Sequence, residues 1–159
     1  MTQNSTIQGP IIALFEPDIP QNTAAVIRTC ACLGVKLEII EPCGFLLSDK
    51  RFKRVVMDYM SEKEIKFYQS STDFFKYKKN ERIILLTTKG TKSYTNFKFK
   101  KNDTILFGRE SAGVPESVHK LIKNEFKLKI PMKKNFRSLN LASSVAMILA
   151  ESLKQNKLI

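Results

Sequence analysis

The stretch Ile130-Pro131-Met132-Lys133-Lys134-Asn135-Phe136-Arg137-Ser138-Leu139-Asn140-Leu141-Ala142 runs from the end of a short apolar strand, closed by Pro131, through a basic loop into a helix-like run from Leu141 to Lys154. Three polar side chains, Arg137, Ser138 and Asn140, crowd the entrance to that helix. Strand, polar loop and helix start, in that order, are how α/β proteins build ligand sites at the carboxyl ends of their strands. The free N–H groups of a helix start favour an anionic or electron-rich ligand. An Asn at the cap is ordinary; Arg-Ser-x-Asn is more polar chemistry than a cap requires.

The same alternation extends upstream. Strand-like runs fall at Ile11–Phe15, Lys36–Ile40, Ile65–Tyr68, Ile83–Thr87, Thr104–Phe107 and Lys127–Ile130. Helix-like segments fall at Asn22–Leu33, Asp49–Met60 and Asp73–Lys79, and another starts at Pro115 and runs towards Lys123. Asn22 reads as the cap of the first helix and Gly34 as its stop. The pattern predicts an α/β fold with a mostly parallel sheet. The strands are continuously apolar rather than alternating, so helices are expected on both faces. No internal repeat or low-complexity linker interrupts the chain, and 159 residues fit one domain, 1–159.

The composition narrows the class of function. Lys and Arg number 27 against 15 Asp and Glu, a net charge of +12, which points to a polyanionic partner and first to nucleic acid. No apolar run approaches the roughly 20 residues of a membrane span, and Met1 to Gly9 is polar without a signal-peptide core. A cytoplasmic protein without a membrane partner is expected. Cys30 and Cys32, two apart on a helix, point to different faces and do not pair readily; Cys43 stands alone. Without a Cys-x-x-Cys, and with His119 as the one histidine, no metal site is expected. His119 is read as a surface residue of its helix. Lys76, Lys78, Lys79, Lys98, Lys100 and Lys101 are read as solvated surface.

Two of the six glycines sit in Phe107-Gly108-Arg109-Glu110-Ser111-Ala112-Gly113-Val114-Pro115, between a strand and a helix. Gly108 lets a ligand approach the backbone, and Gly113 supplies a positive φ; an ordinary turn explains both equally well. A third loop, Leu86-Thr87-Thr88-Lys89-Gly90, also follows a strand. In a parallel sheet the three loops would lie on one edge and frame a pocket. The Gly-x-Gly-x-x-Gly fingerprint and the Gly-x-x-x-x-Gly-Lys-Ser/Thr loop are absent, which removes nicotinamide enzymes and P-loop ATPases. Arg28 lies on an otherwise apolar helix. It is either a solvated arginine on the polar face or a partly buried guanidinium aimed at a phosphate or a developing oxyanion.

Asn22…Arg28, then Phe107 to Pro115, then Ile130-Pro-Met…Arg137-Ser-Leu-Asn-Leu141 resemble, in order and spacing, the three motifs of the SpoU branch of the SPOUT RNA methyltransferases. The resemblance covers about Ile11 to Leu153. The short length, the segments Ile39 to Phe45 and Asp49-Lys50-Arg51, and Leu86 to Gly90 are similar to the minimal subgroup that methylates the 2′-hydroxyl of the wobble nucleotide of tRNA. Ala24-Ala25 departs from the Gly-Asn usual there, and Ala112 from a position often polar or basic.

This resemblance implies an α/β knot, in which the C-terminal segment threads a loop to form a trefoil, against the usual rule of unknotted chains. It implies S-adenosylmethionine as methyl donor and no metal. It implies a homodimer whose subunits share each active site, with Leu149 and Leu153 read either as its interface or as core. The substrate would be the anticodon region of leucine tRNAs whose wobble base is cytidine or a modified uridine. Leu86, Thr87, Gly108, Glu110, Gly113, Ile130, Met132, Ser138 and Asn140 would surround the methyl donor, largely through backbone groups. Arg28 and Asn22, with Ser138 and Asn140, would serve catalysis, Arg28 as a clamp on the developing alkoxide. Arg28, Lys50, Arg51 and Arg54, together with Lys133, Lys134 and Arg137, would hold RNA phosphates. Bases of a single-stranded loop stack on aromatic side chains, but the sequence does not single out the aromatic. A relative acting at another tRNA position or on ribosomal RNA, and a non-catalytic RNA-binding module, are the alternatives; Arg28, Glu110, Ser138 and Asn140 together argue against the module.

Overall fold

The structure is a computed structural model and describes residues 9–59 and 64–159. The expectations for Met1 to Gln8, and for a helix reaching Met60, lie outside those residues. Among these residues seven strands are present: β1 Ile11–Phe15, β2 Lys36–Ile40, β3 Ile65–Tyr68, β4 Ile83–Leu86, β5 Lys92–Ser93, β6 Thr104–Phe107 and β7 Lys127–Lys129. They form one sheet in the order β3-β2-β1-β6-β4-β7-β5, and each pairing is parallel. Five α-helices accompany them: α1 Pro20–Leu33, α2 Lys50–Tyr59, α3 Ser71–Tyr77, α4 Glu116–His119 and α5 Leu141–Gln155.

The period-two alternation of each strand sends side chains to two separate cores. Ile12, Leu14, Leu37, Ile39, Ile84, Ile105 and Leu128 pack with Val26 and Ile27 of α1, Phe52 and Val56 of α2, and Val145, Ile148, Leu149 and Leu153 of α5. Ala13, Phe15, Ile40, Leu85 and Leu106 pack with Phe74 of α3 and Val118 of α4. Both faces are covered at the centre of the sheet, which is why β1, β4 and β6 lack a polar face. Leu149 and Leu153, at 0% and 1% exposure, are core. Among the described residues no helix is long and apolar enough to cross a membrane.

Several helix ends differ from the sequence reading. α1 begins at Pro20, with Ile19 at the cap and no side-chain cap bond. Proline at the first position presets φ and gives up an N–H that had no partner anyway, so Asn22 is released from capping. Gly34, at φ 66°, ends the helix as expected. Asp49 Oδ1 accepts from the N–H groups of Arg51 at 2.9 Å and Phe52 at 3.2 Å, and so fixes the start of α2. α3 starts earlier than expected because the Ser70 hydroxyl accepts from Asp73 N–H. The helix expected beyond Pro115 is a single turn, and the two-residue β5 went unread because it is too short and polar to show a period.

Two surface expectations are overturned. Lys78 is 2% exposed. Its Nζ lies 2.6 Å from Glu38 and 3.1 Å from Glu81, and donates to Thr104 Oγ1 at 3.2 Å. Tyr68 also donates its hydroxyl proton to Glu38, at 2.6 Å. The clue in the sequence was Glu38, a carboxylate at an inward position of an apolar strand; a buried charge requires a partner. The other lysines of that group are exposed. His119 is 6% exposed rather than on the surface, on the buried side of the single turn of α4 with Val118.

Candidate active site

β6, β4 and β7 are neighbours in the sheet, so their carboxyl ends lie side by side. The loops that follow them, 108–115, 86–90 and 130–140, line one open cavity of about 960 Å³. Its walls include Leu86, Thr87, Gly108, Glu110, Gly113, Ile130, Met132, Lys133, Lys134, Arg137, Ser138 and Asn140, with Asn22 reaching in from α1. The structure thus brings together those residues, which the chain spreads over more than a hundred positions.

The loop after β6 is held by its own backbone. Arg109 and Gly113 exchange N–H···O bonds at 3.2 and 2.8 Å. A Cβ on Gly108 would stand 2.6 Å from Gly113 Cα, so the close approach that requires glycine is within the loop and not to a ligand. Gly113, at φ 66°, has the expected left-handed conformation, and a Cβ there would meet no atom within 4 Å. The backbone at Gly113 is therefore bare towards the cavity.

A chain of polar contacts crosses one wall. Glu110 Oε2 accepts from Asp18 N–H at 2.9 Å and Glu110 Oε1 from Asn22 Nδ2 at 3.4 Å. Asn22 Oδ1 accepts from Asn140 Nδ2 at 2.9 Å, and Asn140 Oδ1 accepts from Ser143 N–H at 3.2 Å, capping α5. One amide therefore both caps a helix and links it to α1. Asp18 accepts a short hydrogen bond from the Ser111 hydroxyl, and Arg109 Nε stands 3.6 Å from the same carboxylate.

The two carboxyl groups are tuned apart. Burial and the contact with Asp18 hold the Glu110 carboxyl above its ordinary range. Asp18 is held low by the hydrogen bond with Glu110, by Ser111 and by Arg109. Of the two, Glu110 takes up a proton the more readily. Burial, with Glu41, Glu110 and Glu16 nearby, pushes the Cys43 thiol up to about 12, so it is no nucleophile. His119 lines the cavity too, and burial with Lys127 and Lys89 nearby depresses its pKa, which favours the neutral imidazole.

Other predicted residues stand elsewhere. Arg28 is exposed and is not among the residues lining the cavity. Its guanidinium lies 5.3 Å from the Tyr59 ring centroid, a cation–π stack across α1 and α2, so the partly buried alternative does not hold within this chain. Lys50, Arg51 and Arg54 lie exposed on α2, away from the cavity lining. Asp18 went unread in the sequence. Its only local signal was a carboxylate in the turn between β1 and α1, and its partners lie some ninety positions away. Among the described residues no three His, Cys, Asp or Glu side chains converge to hold a metal.

Comparison with known proteins agrees with this geometry. A model of the SpoU rRNA Methylase family matches residues 9–150. The tRNA (cytidine(34)-2′-O)-methyltransferase of Beijerinckia indica is 45% identical over 147 residues, covering 91% of each chain. The protein of the same name from Escherichia coli K12 is 37% identical over 144 residues, covering 91% of this chain and 92% of its own. A solved structure described as giving insights into 2-OH methylation of C/U34 on tRNA superposes with a TM-score of 0.86 at 36% identity, over 94% of this chain and 97% of the other.

Proposed function

The chain belongs to the SpoU rRNA methylase family, and from that premise we propose that it methylates the ribose 2′-hydroxyl of nucleotide 34, the wobble position of tRNA, using S-adenosylmethionine. It is a tRNA (cytidine(34)-2′-O)-methyltransferase in activity. The observation that carries the reading is the convergence of the three strand-end loops and Asn22 on one cavity. The finer reading takes 1–159 as one catalytic domain working in the cytoplasm on leucine tRNAs.

The residues present fit the methyl donor. Leu86, Ile130 and Leu141 offer apolar wall for a heterocycle, and the bare backbone at Gly113 leaves room beside them. Leu86, Thr87, Gly108, Glu110, Gly113, Ile130, Met132, Ser138 and Asn140 would hold it. When bound, its sulfonium makes the methyl group electrophilic without help from a metal. Methyl transfer to the ribose oxygen would leave the donor as its neutral thioether, and the hydroxyl proton would pass to water at the open cavity. Asn22, Ser138 and Asn140 would orient the ribose. Arg28 offers a planar fork of N–H donors, so its part would be to stabilise charge growing on that oxygen.

Arg28 stands outside the cavity of its own chain, which supports a site completed across a homodimer. The outward side of α5, where Ala146, Met147 and Ala150 are exposed, offers a surface for that contact. A trefoil knot is supported by the strand order, which inserts β6 between β1 and β4, and β7 between β4 and β5. Lys50, Arg51 and Arg54, with Lys133, Lys134 and Arg137, would hold backbone phosphates.

Labelled S-adenosylmethionine and bulk tRNA, followed by nuclease digestion and mass spectrometry, test the reading. A 2′-O-methyl group at the wobble nucleotide of leucine tRNAs is the expected product. Methyl incorporation that survives a deoxyribose at that nucleotide would overturn it.

A further inference from the structure

Four aromatic side chains are largely exposed among the described residues: Phe136 at 73%, Tyr77 at 66%, Tyr59 at 41% and Phe67 at 37%. Only Phe136 of these lines the cavity. Its presentation is built into the loop. Asn135 takes φ 81°, a left-handed conformation that Asn tolerates better than most residues. Phe136 N–H donates to Lys133 O at 3.3 Å, closing a turn that ends on the ring. Lys133, Lys134 and Arg137 flank it, all exposed and all on the cavity lining.

An exposed ring among cations at the mouth of a cavity is the arrangement with which proteins take up single-stranded nucleic acid: charge holds the backbone and the ring stacks a base. We propose that Phe136 is the stacking platform for the base of the nucleotide that is methylated, an inference that rests on the function proposed above. Connectivity favours that base over its neighbours. The reacting hydroxyl is on C2′ and the base is on the adjacent C1′, so a ribose at the cavity leaves its base at the rim.

Two other occupants fit less well. A second copy of this chain, itself at net charge +12, would bring like charge against Lys133, Lys134 and Arg137. The heterocycle of the methyl donor needs enclosed walls, which Leu86, Ile130 and Leu141 supply deeper in the cavity, whereas Phe136 is open to water. A phenyl ring neither donates nor accepts a hydrogen bond, so it takes cytosine and uracil alike. Choice between bases then comes from other groups.

The test uses the full chain, S-adenosylmethionine and an anticodon stem-loop RNA with pyrrolocytidine at the wobble position, whose fluorescence falls on stacking. The wild-type protein and Phe136→Trp are expected to quench the probe, and Phe136→Ala is not. Phe136→Ala is expected to raise the KM for the unlabelled stem-loop by roughly tenfold, while S-adenosylmethionine affinity by calorimetry and the sedimentation coefficient stay unchanged. Three results would overturn the proposal: equal quenching by Phe136→Ala, weakened cofactor binding in it, or a changed oligomeric state. Wild-type protein that methylates the wobble ribose without quenching places the stack elsewhere and overturns this inference alone. Wild-type protein that never methylates that ribose overturns the proposed function and this inference with it.

Discussion

Two polar networks cross this chain, and they differ in what they face. Lys78, Glu38, Tyr68, Thr104 and Glu81 form one of them, with Lys78 and Glu38 2% and 5% exposed. Glu110, Asn22 and Asn140, along a cavity wall, form the other with Asp18 behind them. The first joins β2, β3 and β6 to the end of α3; its inner members Lys78, Glu38, Tyr68 and Thr104 are buried, and Glu81 lies at its exposed edge. The second joins the β1–α1 turn, α1, the loop after β6 and the start of α5, and is open to a ligand. Their hydrogen bonds are of similar length, so bond geometry does not tell a structural network from a functional one; the neighbouring space does.

The contrast is broken most forcefully in the core. Lys78→Met leaves Glu38 buried without its cation, and the expected loss is about 3–5 kcal/mol of unfolding free energy. Urea denaturation reads it, while methyl transfer per folded molecule stays near wild type. A loss within experimental scatter would mean that Glu38 finds water and that the network is not closed.

At the cavity wall the expected order of effects is reversed. Asn140→Ala removes a helix cap, for about 1 kcal/mol. It also releases Asn22, and misplacement of this kind lowers turnover on the order of 10- to 100-fold. Asn140→Asp sharpens the point, because it keeps the cap acceptor and loses the amide donor to Asn22. Stability should recover while turnover stays low; recovery of both would make Asn140 a cap and nothing more.

The smallest expected effect is a shift in titration. Asp18→Asn removes one of the causes that raise Glu110, so the Glu110 carboxyl should fall back towards 4.5, stopping short because burial remains. Carbon-detected NMR of the carboxyl groups measures this, and an unmoved Glu110 would break the coupling. The signs on stability are opposite. The contribution of Glu110, with its raised pKa, is present below 4.5 and is lost as pH rises through its folded value. Asp18, with its lowered pKa, contributes above 3.8 and loses that contribution as pH falls through its folded value. Asp18→Asn should therefore remove the second dependence and weaken the first.

Much of the fold was legible in residue order. β1, β2, β3 and β6 lie where the sequence predicted; for β1 and β6 the reason is that a strand buried on both faces leaves an uninterrupted apolar signal. The loop chemistry was legible as well, since Gly113 and Asn140 adopt the turn and cap their types favour. Lys78, His119 and Asp18 were not. Each looks ordinary beside its sequence neighbours, and each is defined by a partner or a surface brought from elsewhere.

By itself the sequence determined where the longer strands and helices and the polar loops fall, because those properties depend on spacing within a turn or a pleat. Tertiary structure alone decided that β6 lies between β1 and β4, the order that sets the three loops, expected on one edge, around one cavity. It also decided that Asn140 meets Asn22 across 118 positions, and that Phe136 is left bare at the rim. Such meetings follow from the order of strands in the sheet, which is set by the packing of both faces at once and leaves no period along the chain.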